Sequence, residues 1–215
     1  YNRIGHSFFL TVILTTHQLD SCWCRAGSGA GTAGYAVFRN LLDFPGKLYA
    51  VNPKGKEILR REIYPSLAAV PGQVDAVVIT VPAAVVPEVM EEAGIKGVKL
   101  AVVISAGFRE IGEGGRNLED KVLQIAEKYG IRMVGPNCLG IILPHKKINA
   151  TFDPVSPKPG HLAFISQSGA IITTVVDWSL QEDRGLSAVI SVGNQADLGF
   201  DEFLKFAGED EDTRT

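Results

Sequence analysis

From Gly34 onward, amphipathic stretches alternate with short apolar runs along the chain. Apolar residues recurring at helical spacing predict helices over residues 35–44, 83–93, 115–129, 170–182 and 200–207. Strands are predicted over 47–51, 75–81, 99–105 and 131–134, then over 161–165 and 187–192. Runs such as AVVITV (76–81) and AVVIS (101–105) contain no polar alternation, which is what a strand buried on both faces requires. Strand followed by helix, repeated, implies right-handed βαβ units on a parallel sheet, so the fold class is α/β.

The alternation stops between Pro136 and Gly160. That stretch carries five prolines and no sustained period, and it reads as a connection. A second α/β unit begins at His161, but two strands and two helices cannot bury a parallel sheet on both faces, and the chain runs out in EDEDTRT (209–215) where another strand should follow. The expected organisation is a first domain over 1–137 with residues 1–28 atypical, a connection over 138–160, and an incomplete second domain over 161–215.

Composition narrows the classes of partner. Of the residues, 46% are hydrophobic and 21% charged, a globular balance that excludes fibre and disorder. The net charge of −3 leaves no basic excess to neutralise a phosphate backbone, so nucleic acid is not an expected partner. Cys22, Cys24 and Cys138 form neither a disulfide framework nor a metal-ligand spacing, which fits a reducing cytoplasm. The apolar run FFLTVIL (8–14) is too short to span a bilayer, and Arg3 alone makes a thin basic region for a signal peptide; no membrane association is expected.

Several strand-to-helix turns carry candidate chemistry. Gly29, Gly31 and Gly34 form G-x-G-x-x-G in front of the first predicted helix, where glycines let a phosphate approach backbone N–H groups at a helix N-terminus. The next strand ends Val51-Asn52-Pro53-Lys54. A lysine there, in place of the carboxylate that holds an NAD ribose, suits a ribose bearing a phosphate, as in coenzyme A or NADP. Val81-Pro82 and the turn Ser105-Ala106-Gly107-Phe108 end two further strands and face the same crevice. Ser166-Gln167-Ser168-Gly169-Ala170 joins a strand to a helix as a second candidate anion site. Plain βα turns and simple N-capping by the serines are the competing readings. Cys138 reads as a buried thiol rather than a nucleophile, and His145 and His161 as isolated structural or exposed residues.

Together these residues resemble the α subunit or α region of the NDP-forming acyl-CoA synthetases, in the branch of the ADP-forming acetate–CoA ligases, and more distantly succinyl-CoA synthetase α. The strings that carry the resemblance include GYAVFRNLL (34–42), YAVNPKG (49–55), YPSL (64–67), VPA (81–83), VVISAGFREIGEGG (102–115), GPNCLGI (135–141), NATF (149–152), ISQSGA (165–170) and SVGNQAD (191–197), in family order. The resemblance implies a Rossmann-like CoA-binding domain followed by the start of a flavodoxin-like domain. It implies CoA contacts from Gly31, Thr32, Gly34, Asn52, Pro53, Lys54, Val81, Pro82, Ser105 and Gly107, and a phosphate-facing helix terminus at Ser166, Ser168 and Gly169. The family reaction joins a small carboxylate to CoA through an acyl phosphate and a phosphohistidine; the resemblance puts that histidine beyond Thr215. ADP or ATP and Mg belong to the complete enzyme, in a β subunit or ATP-grasp region.

The chain departs from the family at LDSCWCRAGSGAG (19–31), where an apolar first strand should run into the glycine loop. Codons for Leu19 to Cys24 exist that, shifted by one nucleotide, encode Leu-Ile-Val-Val-Gly-Ala, so a frameshift upstream of Gly29 is one explanation. Two further functions stay open at this point: a CoA-binding regulatory region of a protein acetyltransferase, and an NADP-binding oxidoreductase domain.

Overall fold

The computed structural model describes residues 11–15, 32–54 and 57–214. Seven strands build the first sheet: β1 (Thr11–Thr15), β2 (Lys47–Val51), β3 (Glu57–Ile58), β4 (Arg61–Tyr64), β5 (Ala76–Ile79), β6 (Leu100–Val103) and β7 (Arg132–Val134). Their order is β3-β4-β2-β1-β5-β6-β7, and every neighbouring pair is parallel except the β3/β4 hairpin. β1 is central, with Ile13 in register with Tyr49 on one side and Val77 on the other. The apolar central strand expected near 19–24 is thus supplied by TVILT, from the run that resembled a signal sequence. Residues 19–28, on which the frameshift expectation rests, lie outside the described residues. The small strands β3 and β4 were not predicted; neither is long enough to show a period of its own.

Three helices accompany this sheet: α1 (Ala33–Asn40), α2 (Val86–Lys96) and α3 (Glu113–Tyr129). α2 and α3 end at Gly97 and Gly130, both in the left-handed conformation that closes a helix without a Cβ penalty. Strand parity sorts the core into two layers. Val77, Ile79, Ala101, Val103 and Met133 face Val86, Met90 and Ala93 of α2 and Val122, Ile125 and Ala126 of α3. Val78, Val102 and Val134 point the other way, into a cluster with Val37 and Phe38 of α1 and Leu41 just after it.

That second layer also contains Ala150, Ala188, Ile190 and Phe203, all from the later part of the chain. Ala150, Ala188 and Ile190 belong to a four-stranded sheet of β8 (Gly140–Leu143), β9 (Ile148–Thr151), β10 (Pro159–Ser166) and β11 (Leu186–Ser191), in the order β10-β11-β8-β9, and Phe203 to the helix that follows it. β10 and β11 are parallel, while β8 and β9 form an antiparallel hairpin joined to β11. The segment expected to be a plain connection therefore holds two strands, and the second sheet gains the width that two strands lacked. Its prolines do not interrupt them: Pro144 sits in the turn after β8, Pro154 and Pro157 follow β9, and Pro159 is the first residue of β10, where a missing N–H is tolerated. α4 (Gly169–Gln181) packs Ile172 and Val176 on the outer face of this sheet, and α5 (Phe200–Glu209) follows β11. Among the described residues no helix is long and apolar enough to cross a membrane.

Polar bonds lock the two sheets together. Asn40 at the end of α1 donates to the carbonyls of Thr151 (2.8 Å) and Asp153 (2.6 Å). Asn149 is buried and saturated, accepting from the Thr151 N–H and hydroxyl and donating to Ser156 Oγ at 2.8 Å. On the opposite side the loop after β11 is laced along β7: Leu198 N–H bonds to Met133 O at 3.1 Å, and Asp197 accepts from Met133 N–H at 2.7 Å while pairing with the Arg132 guanidinium. Asn40→Ala removes the short bonds to two part-buried carbonyls, leaving Asp153 O only longer bonds from Asn149 and Thr151, and is expected to lower stability by about 1–3 kcal/mol. Equilibrium denaturation measures it, and an unchanged midpoint would contradict this account of the joint.

Candidate active-site cleft

The carboxyl ends of β5 and β6 and the first turn of α1 enclose a cleft of about 260 Å³. α1 begins there because Thr32 caps it, its Oγ1 accepting from Tyr35 N–H at 3.4 Å. The opening N–H groups of a helix have no acceptor within it, so this turn presents donors and the positive end of the helix dipole to the cleft. Thr32 and Gly34 line the cleft from α1, Val81 and Pro82 from the turn after β5, and Ser105 from the turn after β6. Ser105 ties the two turns together by donating its hydroxyl to Val81 O. Gly107 has φ +111°, and a Cβ there would lie 3.0 Å from the Ala83 side chain, so both conformation and space ask for glycine.

Asn52, Pro53 and Lys54 lie at the carboxyl end of β2, on the far side of β1 from β5. Buried Asn52 accepts the Lys54 N–H on its Oδ1 at 2.8 Å, a local turn in which Lys54 is exposed. These three residues do not line the cleft itself. Gly29 and Gly31 are outside the described residues. Ala33 and Ala106, inside the turns singled out in the sequence, also line the cleft, as does Thr80, which the sequence reading did not single out. Thr80 adjoins Val81, and its place at the end of a predicted strand was the signal available.

The second candidate site is a capped helix. Ser168 Oγ accepts from Ile171 N–H at 3.3 Å, and Ser166 Oγ accepts from Ser168 N–H at 3.1 Å, so both hydroxyls serve the start of α4. A Cβ on Gly169 would meet Leu139 at an ordinary 3.5 Å. Cys138 is buried with its thiol against Val103 O at 3.3 Å, and burial pushes its pKa up to about 12, which leaves no thiolate for nucleophilic chemistry.

His145 and His161, expected to stand apart, are brought together. Their rings are 6.3 Å apart, centroid to centroid, because the turn after β8 folds against β10. His145 Nε2 donates to Gly160 O at 2.8 Å and His161 Nδ1 to Asp212 O at 2.9 Å, so each ring spends a nitrogen on a main-chain carbonyl. The Asp212 carboxylate lies 3.7 Å from His145 Nδ1. Among the described residues no group of three or more His, Cys, Asp or Glu is arranged to hold a metal ion.

Comparison with known proteins agrees with this geometry. Residues 26–144 match the family model of the CoA binding domain, and residues 159–215 that of the succinyl-CoA ligase like flavodoxin domain. The chain is 48% identical over 183 residues to an acetate–CoA ligase (ADP-forming) I of Archaeoglobus fulgidus, covering 85% of this chain and 27% of that one. It is 46% identical over 195 residues to the α subunit of acetate–CoA ligase (ADP-forming) I of Pyrococcus furiosus, covering 88% and 42%. The chain therefore spans well under half the length of these relatives. The dinucleotide-forming acetyl-coenzyme A synthetase 1 of Candidatus Korarchaeum cryptofilum, solved with phosphate and ADP, superposes with a TM-score of 0.84 at 37% identity over 94% of this chain and 42% of that one. With both family models in this order, and a parallel-sheet cleft where the first of them lies, the chain belongs to the CoA-binding domain family, as the α region of an NDP-forming acyl-CoA synthetase.

Proposed function

We propose that this chain holds coenzyme A for an ADP-forming acid–thiol ligase that joins a small carboxylate, acetate being the substrate named for its relatives, to the CoA thiol in the cytoplasm. The observation that carries the reading is the cleft between the α1 N-terminus and the turns at Val81-Pro82 and Ser105-Ala106. Its N–H donors suit the CoA phosphates, and its small, apolar walls suit a ligand laid across the strand ends. Lys54 at the end of β2 is assigned to the ribose phosphate, with Asn52 fixing the turn that carries it and Pro53 stiffening it. Gly31 and Gly107 are assigned to close backbone approach.

In the complete enzyme the CoA thiol attacks an acyl phosphate: the C–S bond forms, the C–O bond to phosphate breaks, and the thiol proton leaves. This chain's part is to bind and orient CoA for that attack. Ser166, Ser168 and Gly169 are assigned to receive a phosphoryl group at the start of α4, whose dipole favours an anion. The phosphoryl-carrying histidine is assigned to neither His145 nor His161, because each gives a ring nitrogen to a main-chain carbonyl. Nucleotide and Mg²⁺ are assigned to an ATP-grasp region or partner β subunit, as the resemblance to the ADP-forming ligases and the α-subunit name of one relative suggest.

Lys54→Ala is expected to weaken CoA by about 1.5–3 kcal/mol while leaving dephospho-CoA nearly unchanged, as the loss of one charge-assisted contact requires. Calorimetric titration of both ligands measures it; equal losses would remove Lys54 from the ribose phosphate, and a preference for NADP over CoA would contradict the reading of the cleft. Incubated alone with ATP or acetyl phosphate, the chain is expected to stay unlabelled. Acid-labile phosphate on His145 or His161, detected by mass spectrometry, would overturn the assignment of the phosphoryl carrier.

A further inference from the structure

The turn 105–108, whose Ser105 and Ala106 line the cleft, is fixed from behind by a knot of polar side chains that are not among the assigned CoA contacts. Glu110 Oε1 accepts hydrogen bonds from the N–H groups of Gly107 (2.5 Å) and Phe108 (3.1 Å). Its Oε2 accepts from Nδ2 of Asn194 at 2.8 Å. The same Nδ2 donates to Oε2 of Glu119 at 2.9 Å. Glu119 is buried in α3 and paired with Arg109, Nε to Oε1 at 2.7 Å. Arg109 in turn donates to the main-chain carbonyl of Asn194, and Asn194 Oδ1 accepts from Asn137 Nδ2 at 3.3 Å.

The chemistry of the knot needs an amide at its centre. A side-chain NH2 carries two donor hydrogens and no acceptor, so one asparagine satisfies two carboxylates at once; aspartate would add a third negative charge. Partial burial alone would lift the Glu110 carboxyl, but the bonds from Asn194, Gly107 and Phe108 outweigh it and hold the group below the usual carboxylate range. The loop is seated to deliver this residue. Asn194 N–H bonds to Pro136 O at 2.9 Å, and Gly193, at φ +53°, would drive a Cβ to 2.3 Å from that same carbonyl.

Asn194 follows β11, and lies 84 residues from Glu110 in the chain. We propose that Asn194 is a positioning residue for coenzyme A: by clamping Glu110 it holds the Gly107 turn, and with it the cleft wall at Ser105 and Ala106, in the shape that takes the ligand. The proposal rests on the reading of the cleft as the CoA site. It makes the loop after β11 part of the binding machinery, and by linkage CoA in the cleft tightens that loop.

The test compares the full chain with Asn194→Ala and Glu110→Gln. The amide proton resonances of Gly107 and Phe108 report the clamp, and calorimetric titration with CoA reports the cleft. Both variants are expected to shift the two resonances and to weaken CoA by about tenfold, while the amides of β10 and β11 stay in place. If Asn194→Ala does not fold, Glu110→Gln, at a partly exposed position, decides the matter alone. CoA affinity unchanged in a folded variant whose Gly107 resonance has moved would overturn the proposal and leave the CoA reading standing. A wild-type chain that takes up no CoA would overturn both.

Discussion

Ala76–Ile79 and Leu100–Val103 carry apolar side chains on both faces of the first sheet, and each face needs a cover that excludes water. α2 and α3 cover one face. On the other, α1 alone is too short at eight residues, and the cover is completed by β9, β11 and α5 from the second half of the chain. This two-sided burial makes the two sheets share a core rather than hang on a linker. It also sets the crevice: with β1, β2, β5 and β6 parallel, their carboxyl ends open on one edge, and α1, packed across that face, brings its N-terminus to it.

The lacing at β7 follows from the same need. Strand β7 is the edge of the first sheet, and an unpaired edge invites association. The loop after β11 occupies it with main-chain bonds at Met133 and Gly135 and with the Arg132–Asp197 pair. Once that loop is seated, Asn194 reaches the carboxylates behind the cleft. A packing requirement thus carries polar chemistry from one half of the molecule to the cleft of the other.

Much of this was legible in the residues. The run AVVITV announced a doubly buried strand, and the glycine-to-helix turn at Gly34 and the ends at Val81-Pro82 and Ser105 were legible because strand ends of a parallel sheet hold ligands. What was not legible had physical reasons. TVILT was missed because it lies inside the apolar run FFLTVIL, which was weighed as a membrane or signal segment, set aside as either, and not considered as a strand. The β8–β9 hairpin hid among prolines that punctuate its ends without interrupting its ladder. His145 and His161 meet through a turn against a strand 15 residues on, a distance that no local spacing encodes. The knot joins Asn194 to residues 57 to 85 positions away, and nothing in SVGNQAD alone distinguishes an asparagine that clamps a distant turn from one that merely forms its own.

Backbone hydrogen exchange of the whole chain, with and without saturating CoA, tests the placement of the ligand most directly. The account predicts slowed exchange in residues 32–36, 80–84 and 104–108, around the cleft, with residues 166–172 at the start of α4 unchanged. Slowing confined to 166–172, with the turns after β5 and β6 unaffected, would contradict it.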